Sequence, residues 1–338
     1  MKKLISVFLI LALTSVILAG CGSPGGANPQ GPERLTAVVA GLPEHSPSGI
    51  ALKRFAELVA EYSEGSLEID TFFGQELGSL VAAVEGMTHG TIDIVSTGTS
   101  FFAGHVPEIQ VFELPYIFAT DEEARATLDG VPGDVIREMF IDHGIYLLCY
   151  WESGLRHVTN SRGPIMTPAD MSGLTIRTVV SITQQRTWES FGALPMALDM
   201  GETFTALQQG TVDAQENTLA QIVALNMFEV QDYLSLTSHA YTPMPFGISM
   251  MTWDRLDDNQ REAIRRASKE ARDYQRELNS ISDIENLQFL RDQGMTIEEN
   301  PDRQSFASLV QPVFDLFIDQ VGTDRYLNMV LDYVNSLR

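Results

Sequence analysis

The sequence predicts an α/β protein with two lobes, a cleft between them and one long helix that spans both. Three observations carry this prediction. Strand-like and helix-like segments alternate from Leu35, the alternation restarts after a helical segment at residues 121–143, and a helical pattern then runs unbroken from Asp257 to about Gln293. Alternating strands and helices are typical of a mostly parallel sheet with helical crossovers. Two such units joined by strands, rather than by a loose linker, indicate two lobes.

The first unit has the order strand, helix, strand, helix, strand. Apolar residues follow period 2 in its strands and a helical period in its helices. The five segments are LTAVVA, SGIALKRFAELVAEYS, LEIDTFF, GSLVAAVEGMTHG and IDIVS. The short buried strand IDIVS ends at a Thr97-Gly98-Thr99 turn, and open α/β sheets bind ligands at the carboxyl ends of their strands.

The second unit begins with two predicted strands, IYLLCYW and RHVTN, and then alternates again. Its further segments are LTIRT, ITQQRTWESF, LPMAL, GETFTALQQG, TVDAQ and LAQIVALNMF. The long helix that follows has a length on the order of 50 Å at 1.5 Å per residue, enough to cross two lobes. Two amphipathic helices are expected after Pro301. We assign residues 34–152 and 243–280 to lobe I, and residues 153–242 and 281–338 to lobe II.

The N-terminus has the pattern of a bacterial lipoprotein. Residues 1–20 combine two lysines with an apolar run and small residues, as in an export signal, and LAGC resembles the site where lipoproteins are cleaved and acylated at cysteine, here Cys21. The Gly- and Pro-rich residues 21–33 are expected to form a flexible tether. An ordinary signal peptide is the alternative. We expect an exported monomer, in the periplasm or on the outer face of the cell membrane, held to a membrane only by its lipid.

The charge excludes two classes of partner. The chain carries a net charge of −23, and removing residues 1–20 takes away two lysines and no acid, so the mature charge is −25. Nucleic acids and anionic membrane surfaces require a basic surface, and we expect neither as a partner. Apart from Cys21, the mature chain has only Cys149, so no intramolecular disulfide is expected.

No motif for catalysis or cofactor binding is present. The P-loop, dinucleotide-binding, nucleophile-elbow and H-E-x-x-H zinc patterns are all missing, and the six histidines are scattered without the close pairing of a metal site. The sequence therefore predicts no catalytic residues, no metal and no cofactor, and it favours a binding protein over an enzyme.

One segment of this acidic chain is basic. Residues 153–188 contain Arg156, Arg162, Arg177 and Arg186 against a single acid, Asp170. Arg177 lies near the end of a predicted strand, and a guanidinium can hold a carboxylate with two parallel hydrogen bonds. Arg156 follows a strand that contains Trp151, which is either a platform for a ligand or part of the core. Arg162 and Arg186 are expected to be ordinary surface charges.

Seven segments, in order, resemble the solute-binding proteins of TRAP transporters, the tripartite ATP-independent periplasmic uptake systems. The stretch from Gly154 to Asn217 is the most specific part of the resemblance. The segments are PEHSP, GQELGS, GTIDIVSTG, FELPYIF, ESGLRHVTNSRGPIMTPADMSGLTIRT, FGALPMALDMGETFTALQQGTVDAQEN and EVQDYLSLTSHAYTP. The resemblance implies a two-lobed, periplasmic-binding-protein-like fold that closes on a small organic acid and delivers it to membrane subunits driven by an ion gradient.

The resemblance also implies the ligand-binding residues. The arginine of the family's G-L-x-I-R motif, which makes the main carboxylate salt bridge, falls on Arg177. The arginine of the preceding G-x-R motif falls on Arg156, and the asparagine of the D-x-Q-E-N motif falls on Asn217. Further expected positions are Thr97 and Thr99 from the other lobe, with His45 and the Tyr241–Thr242 region as weaker candidates. Where many members have an aromatic residue, this chain has Met200, an adaptable side chain that could meet a different ligand face.

Two classes of ligand are compatible with the sequence. A sugar acid, such as a hexuronate or an aldonate, suits one carboxylate clamp with hydroxyl-binding side chains around it, and we favour this reading. A four-carbon dicarboxylate would need a second cation, which Arg156 could supply. A ligand-sensing or adhesion lipoprotein that serves no transporter is the alternative from another class of function, and an enzyme is the third.

Overall fold

The computed structural model describes residues 31–338, so the predicted signal peptide, Cys21 and most of the predicted tether lie outside the described residues. The strands are β1 (Glu33–Ala40), β2 (Leu67–Gly74), β3 (Ile94–Ser96), β4 (Ile145–Asn160), β5 (Thr175–Thr178), β6 (Leu194–Ala197), β7 (Ala214–Thr218), β8 (Tyr233–Ser235), β9 (Tyr241–Ser249) and β10 (Thr296–Glu298). Glu33, the last residue of the predicted tether, is the first residue of β1.

Twelve helices of α type accompany these strands in the described part of the chain. They are α1 (Pro47–Tyr62), α2 (Leu80–Thr88), α3 (Asp121–Leu128), α4 (Val131–Met139), α5 (Ile182–Ser190), α6 (Met200–Gln208), α7 (Leu219–Ala224), α8 (Met250–Arg255), α9 (Asp258–Asp292), α10 (Arg303–Ala307), α11 (Gln311–Val321) and α12 (Arg325–Leu337). Short 3₁₀ helices include Thr99–Phe101 and Pro107–Glu113. No described helix is both long enough and apolar enough to cross a bilayer.

The strands form two sheets that share β4. The first sheet contains β2, β1, β3, β9 and β4, and the second contains β4, β7, β5 and β6, with β8 beside β4 and β10 beside β8. Pairing is parallel within each βαβ unit, as predicted, and antiparallel wherever β4 or β9 takes part. The predicted two-lobed α/β architecture is therefore confirmed, with one sheet in each lobe.

The helix α9 is the long helix that the sequence predicts. It has 35 residues, begins after a capping box in which Asp257 and Gln260 bond each other's backbone amides, and reaches Asp292 without a break. It packs against α1 and β4 and, farther along, against α7 of the second lobe. The prediction that one helix spans both lobes is confirmed.

The packing of the last helix departs from the predicted lobe boundaries. We placed residues 281–338 in lobe II, but Leu327, Val330 and Val334 of α12 belong to the same apolar cluster as Val38 and Val95 of the first sheet. A strongly amphipathic helix packs its apolar face against any apolar surface that is uncovered. The sequence of α12 does not indicate which lobe has that surface. The other lobe boundaries remain a proposal.

Two segments predicted as separate strands form one continuous strand in the structure. The segments IYLLCYW and RHVTN are parts of the 16-residue β4, because a bulge lets the strand continue through Glu152 and Gly154. Gly154 has a φ of +96°, a left-handed conformation that favours glycine. A side chain at this position would also bring a Cβ to within 3.2 Å of Asp283 Oδ2 on α9. The polar residues and the glycine between the two predicted strands therefore do not end β4; they form a bend at which it passes from one lobe to the other.

A cluster of acidic groups surrounds this bend. Glu152 is fully buried and is satisfied by Arg125, whose Nε donates to Oε2 at 2.8 Å, and by the Tyr241 hydroxyl at 2.6 Å. Asp121 and Asp283 have no such partners within residues 31–338, and one oxygen of each is buried without a hydrogen bond. Burial, reinforced by the neighbouring carboxylates, raises the pKa of Asp121 to about 6 and that of Asp283 to about 8.

Candidate functional site

A narrow cavity lies between the lobes, with about 480 Å³ of empty space including its mouth. Its wall comes from the loops and strand ends of both sheets, as expected for an α/β protein. The lining residues are Ala40, Leu42, Leu80, Thr97, Gly98, Ser100, Phe101, Glu113, Ser153, Arg156, Val179, Gln184, Met200, Asn217, Gln221, Thr242 and Met244.

Four of the residues singled out from the sequence meet at this cavity: Thr97, Arg156, Met200 and Asn217. Thr97 follows β3, and its hydroxyl donates to the Ala40 carbonyl at 3.3 Å. Asn217 lies on β7, and its Oδ1 accepts a hydrogen bond from the backbone amide of the next residue, Thr218, at 3.1 Å. The structure therefore brings together wall residues from both lobes that are far apart in the sequence.

Arg156 is bound to a carboxylate of the protein. Its Nε and Nη2 donate to the two oxygens of Glu216 at 2.5 and 2.9 Å, and Nη1 donates to the Thr242 hydroxyl at 3.0 Å. Both members of the pair are almost completely buried. Strands β4 and β7 lie side by side with Val158 opposite Glu216, and this register brings the two side chains together. Much of the charge of Arg156 is consequently neutralised before any ligand arrives.

His239 extends this pair. Its Nε2 lies 3.1 Å from Glu216 Oε2, and its Nδ1 lies 2.9 Å from the Thr237 hydroxyl. Burial opposes ionisation of Glu216, but Arg156 and the hydrogen bond from His239 together lower its pKa to about 2. Burial lowers the pKa of His239, so its ring is neutral. A carboxylate only accepts, so Nε2 donates to Glu216 and Nδ1 accepts from Thr237.

Arg177, by contrast, has no carboxylate among its hydrogen-bond partners within residues 31–338. Its Nε and Nη2 both donate to the Leu198 carbonyl, at 3.0 and 2.7 Å, and Nη1 is buried without any partner. The side chain is only 2 % exposed and does not line the cavity, although Val179 and Met200 beside it do. Burial, together with the charge of Arg156, lowers the pKa of Arg177 to about 10. It remains a cation at neutral pH, with a donor left free.

Two side-chain amides of the cavity wall have an oxygen that accepts no hydrogen bond in the described part of the chain. Gln184 Oε1 and Gln221 Oε1 are buried and have no hydrogen-bond partner in the described part of the chain. The orientation of Gln221 follows from its other end, since its Nε2 donates to the Gly41 carbonyl at 3.4 Å. Buried polar atoms are normally satisfied, so these oxygens indicate a missing donor such as a hydroxyl group.

Four predicted residues lie elsewhere. Trp151 is fully buried in the apolar core and stacks on Phe246 at 4.3 Å between ring centroids, so it occupies the core position that the sequence left open. Tyr241 is buried against Glu152, and its strand neighbour Thr242 faces the cavity instead. Side chains alternate along a strand, so of the predicted Tyr241–Thr242 region only Thr242 reaches the cavity wall.

His45 and Thr99 also lie off the cavity wall. His45 lines a separate surface depression with Glu44, Lys53 and Arg54. Thr99 is fully buried beside the wall residue Ser100. The remaining arginines of the basic segment are exposed and paired with local acids, Arg162 with Asp213 at 2.6 Å and Arg186 with Glu189 at 3.1 Å.

Sequence reasoning missed Glu113, Gln184, Gln221 and Glu216 as site residues. Glu113 and Glu216 lie within the quoted segments FELPYIF and D-x-Q-E-N, but nothing in a single sequence says that Glu113 lines a cavity or that Glu216 binds Arg156 behind it. Among the residues that the structure describes, no cluster of three His, Cys, Asp or Glu could hold a metal. Burial raises the pKa of the Cys149 thiol to about 12, which leaves it protonated and unreactive.

Comparison with known proteins agrees with this geometry. The family model described as "Bacterial extracellular solute-binding protein, family 7" matches residues 38–320. The 2,3-diketo-L-gulonate-binding periplasmic protein YiaO of Escherichia coli is 35% identical over 286 residues, which are 84% of this chain and 87% of that protein.

Two similar crystal structures contain sugar acids. A TRAP periplasmic solute-binding protein of Chromohalobacter salexigens with bound D-glucuronate has a TM-score of 0.86 and 27% identity, over 88% of this chain and 99% of its own. The sugar acid binding protein DctPAm of Advenella mimigardefordensis, in complex with galactonate, has a TM-score of 0.86 and 29% identity, over 91% of this chain and 99% of its own. The chain therefore belongs to the family-7 bacterial extracellular solute-binding proteins, the solute-binding components of TRAP transporters.

Proposed function

We propose that this protein is a lipid-anchored, extracytoplasmic binding protein that captures a sugar acid, a hexuronate or an aldonate, through a salt bridge between the ligand's carboxylate and Arg177. It then delivers the ligand to the membrane subunits of a TRAP transporter for uptake driven by an ion gradient. Binding, not turnover, is its role: the ligand is released unchanged.

The observation that carries the proposal is the state of Arg177. A guanidinium that is 2 % exposed, with Nη1 unpartnered and both of its hydrogen bonds on one carbonyl, lacks the anion that normally accompanies a buried cation. A ligand carboxylate supplies that anion and two acceptor oxygens. Since Arg177 lies beside the cavity and not on its wall, we expect the ligand to reach it when the lobes open.

The choice of a sugar acid rests on the neutral part of the wall. Gln184 Oε1 and Gln221 Oε1 need hydrogen-bond donors, which ligand hydroxyls supply and a second carboxylate does not. The relatives solved with D-glucuronate and galactonate support the same class of ligand.

A four-carbon dicarboxylate is the second candidate within this function. It requires a second free cation, and Arg156 is held by both oxygens of Glu216. This pairing favours the monoanion. A sensing lipoprotein without a transporter would use the same cavity, and the presence or absence of neighbouring genes for two membrane subunits separates the two roles.

Calorimetric titration with D-glucuronate, D-galactonate, succinate, pyruvate and sialic acid tests the proposal. We expect a sugar acid to bind and to stabilise the protein by about 2.7 kcal/mol at 100 times its Kd, because it binds the folded chain only. The ligand recovered afterwards should be chemically unchanged. Failure of every acid in the panel to bind would contradict the proposed function.

Three variants locate the clamp. Arg177→Ala should weaken binding by about 2 to 5 kcal/mol, and Arg177→Lys should restore only part of it, because an ammonium keeps the charge but loses the planar fork. Arg162→Ala is the matched control: it removes the same charge from the same segment, at a side chain 54% exposed to solvent. Equal losses in the Arg162 and Arg177 variants would mean that only the general positive field matters.

A further inference from the structure

One carboxylate of the cavity wall has no protein cation bound to it. Glu113 ends the 3₁₀ helix Pro107–Glu113 in the first lobe, is 7 % exposed and lines the cavity. Its Oε2 accepts a hydrogen bond from the Ser100 hydroxyl at 2.5 Å. Its Oε1 accepts no hydrogen bond of normal geometry within residues 31–338, although the Thr99 hydroxyl lies near the carboxylate. A nearly buried acid with one oxygen free, on the wall of a binding cavity, is a feature that the arginine clamp does not explain.

The other charges of the site do not neutralise Glu113. The charge of Arg156 acts on Glu113, but that guanidinium is already bound by the two oxygens of Glu216. Arg177 is expected to be matched by the carboxylate of the ligand. If the one carboxylate of a ligand binds Arg177, the uncharged part of that ligand faces Glu113. A second carboxylate in the same cavity would lie close to Glu113 with little water between them, and an ionised Glu113 would repel it.

We propose that Glu113 determines specificity: its free oxygen accepts a hydroxyl of the ligand, and its charge excludes acids that carry a second carboxylate. This inference rests on the proposed function, in which Arg177 holds the one carboxylate of the ligand. It concerns a different residue, on the cavity wall of the first lobe, so the two can fail separately. A hydroxyl that donates to an ionised carboxylate makes a stronger bond than one between neutral groups.

The surroundings of Glu113 make this selection sensitive to pH. Burial raises the pKa of Glu113, and the Ser100 and Thr99 hydroxyls and the Arg156 guanidinium act in the opposite direction, while Glu216 adds to the increase. Protonation would cancel the repulsion and turn the carboxyl group into a donor for a second carboxylate. Exclusion of dianions should therefore weaken as the pH falls through the raised pKa.

D-Galactonate and galactarate provide a matched pair of probes, since they differ only in whether C6 is a hydroxymethyl group or a carboxylate. In the wild type we expect galactonate to bind at least about tenfold more tightly than galactarate at about pH 8. Glu113→Gln keeps the size and removes the charge, so it should reduce this ratio by about tenfold or more, through a gain for galactarate and a loss for galactonate.

Glu108→Gln is the control, because it removes the same charge from the same 3₁₀ helix at a residue that does not line the cavity. It should leave the ratio unchanged. An equal reduction in both variants, or a ratio that Glu113→Gln alters by less than about twofold, would overturn the inference. If Glu113→Gln does not fold, the wild-type ratio is followed from about pH 8 down to about pH 5.5, where both probes stay ionised because free carboxyl groups titrate near pH 4. A ratio that rises as the pH falls would overturn the inference as well.

The two proposals fail in different ways. If the wild type binds neither probe and no other acid of the panel, the proposed function is wrong. If it binds galactonate and loses this binding in Arg177→Ala, but Glu113→Gln leaves the selectivity intact, only the role of Glu113 is wrong.

Discussion

Asp283 should make this protein less stable at neutral pH than at mildly acidic pH. Its carboxyl group lies at the bend of β4 with one oxygen buried and unpartnered, and burial raises its pKa from 3.8 to about 8. The folded protein therefore holds a proton that the unfolded chain loses near pH 4. As the pH rises from about 4 towards 8, the unfolded state is favoured, so the free energy of unfolding falls across this interval.

The size of the effect follows from the same values. With one proton more in the folded state, the free energy of unfolding falls by about 1.4 kcal/mol for each pH unit, or roughly 2.5 kcal/mol between pH 5 and pH 7. Asp283→Asn replaces the acid by an uncharged group of similar size. Below about pH 4, where both states hold the proton, the variant should match the wild type, and its advantage in stability should grow by roughly 2.5 kcal/mol between pH 5 and pH 7.

Urea unfolding of the ligand-free protein at several pH values measures this difference, because other titrating groups cancel between wild type and variant. Asp273→Asn serves as the control, since it removes an acid from an exposed position on the same helix α9. Its difference from the wild type should not vary with pH. A wild-type minus Asp283→Asn difference that stays constant from pH 5 to pH 8 would refute the reasoning about the buried proton.

The remaining predictions concern the core, the buried ion pair and the anchor. Trp151→Ala should lower the free energy of unfolding by about 3 to 5 kcal/mol and leave ligand affinity unchanged, as urea unfolding and calorimetry will show; a loss of affinity without a loss of stability would make Trp151 a ligand platform. Glu216→Gln should cost about 3 to 5 kcal/mol in the same unfolding assay, because it leaves Arg156 buried without a counter-charge; an unchanged stability would contradict the pairing. Cys21→Ser should block acylation and cleavage, leaving an unprocessed precursor detectable by mass spectrometry, whereas unmodified, soluble wild-type protein from cells would count against a lipid anchor.

Much of the fold could be predicted because local patterns determine it. The period of the apolar residues identified the βαβ units of both lobes, and the absence of glycine and proline identified α9 almost to the residue. The single strand β4 could not be predicted, because a glycine weakens a strand pattern. Only the structure shows that Gly154, in a left-handed conformation, bends β4 without ending it. The destination of α12 also depends on which lobe leaves an apolar surface uncovered, and that is a property of the assembled fold.

The site was predictable in its position and less so in its electrostatics. The carboxyl ends of β3 and β5 pointed to the region of the cavity, where Thr97 lines the wall and Arg177 is buried beside it. That Arg156 is engaged by Glu216 depends on the register of β4 against β7, two strands whose partners are some 60 residues apart. A single sequence contains no record of such a register, so it could not tell a free cation from a neutralised one.

The position of β9 has a consequence for how the newly exported chain folds. Tyr241–Ser249 lies between β3 and β4, so the sheet of the first lobe lacks an inner strand until the last third of the chain is available. The N-terminal half alone would leave the edges of β3 and β4 unpaired, which invites aggregation. Pairings across such long stretches of sequence also form slowly. We therefore expect the first lobe not to fold as an independent N-terminal fragment.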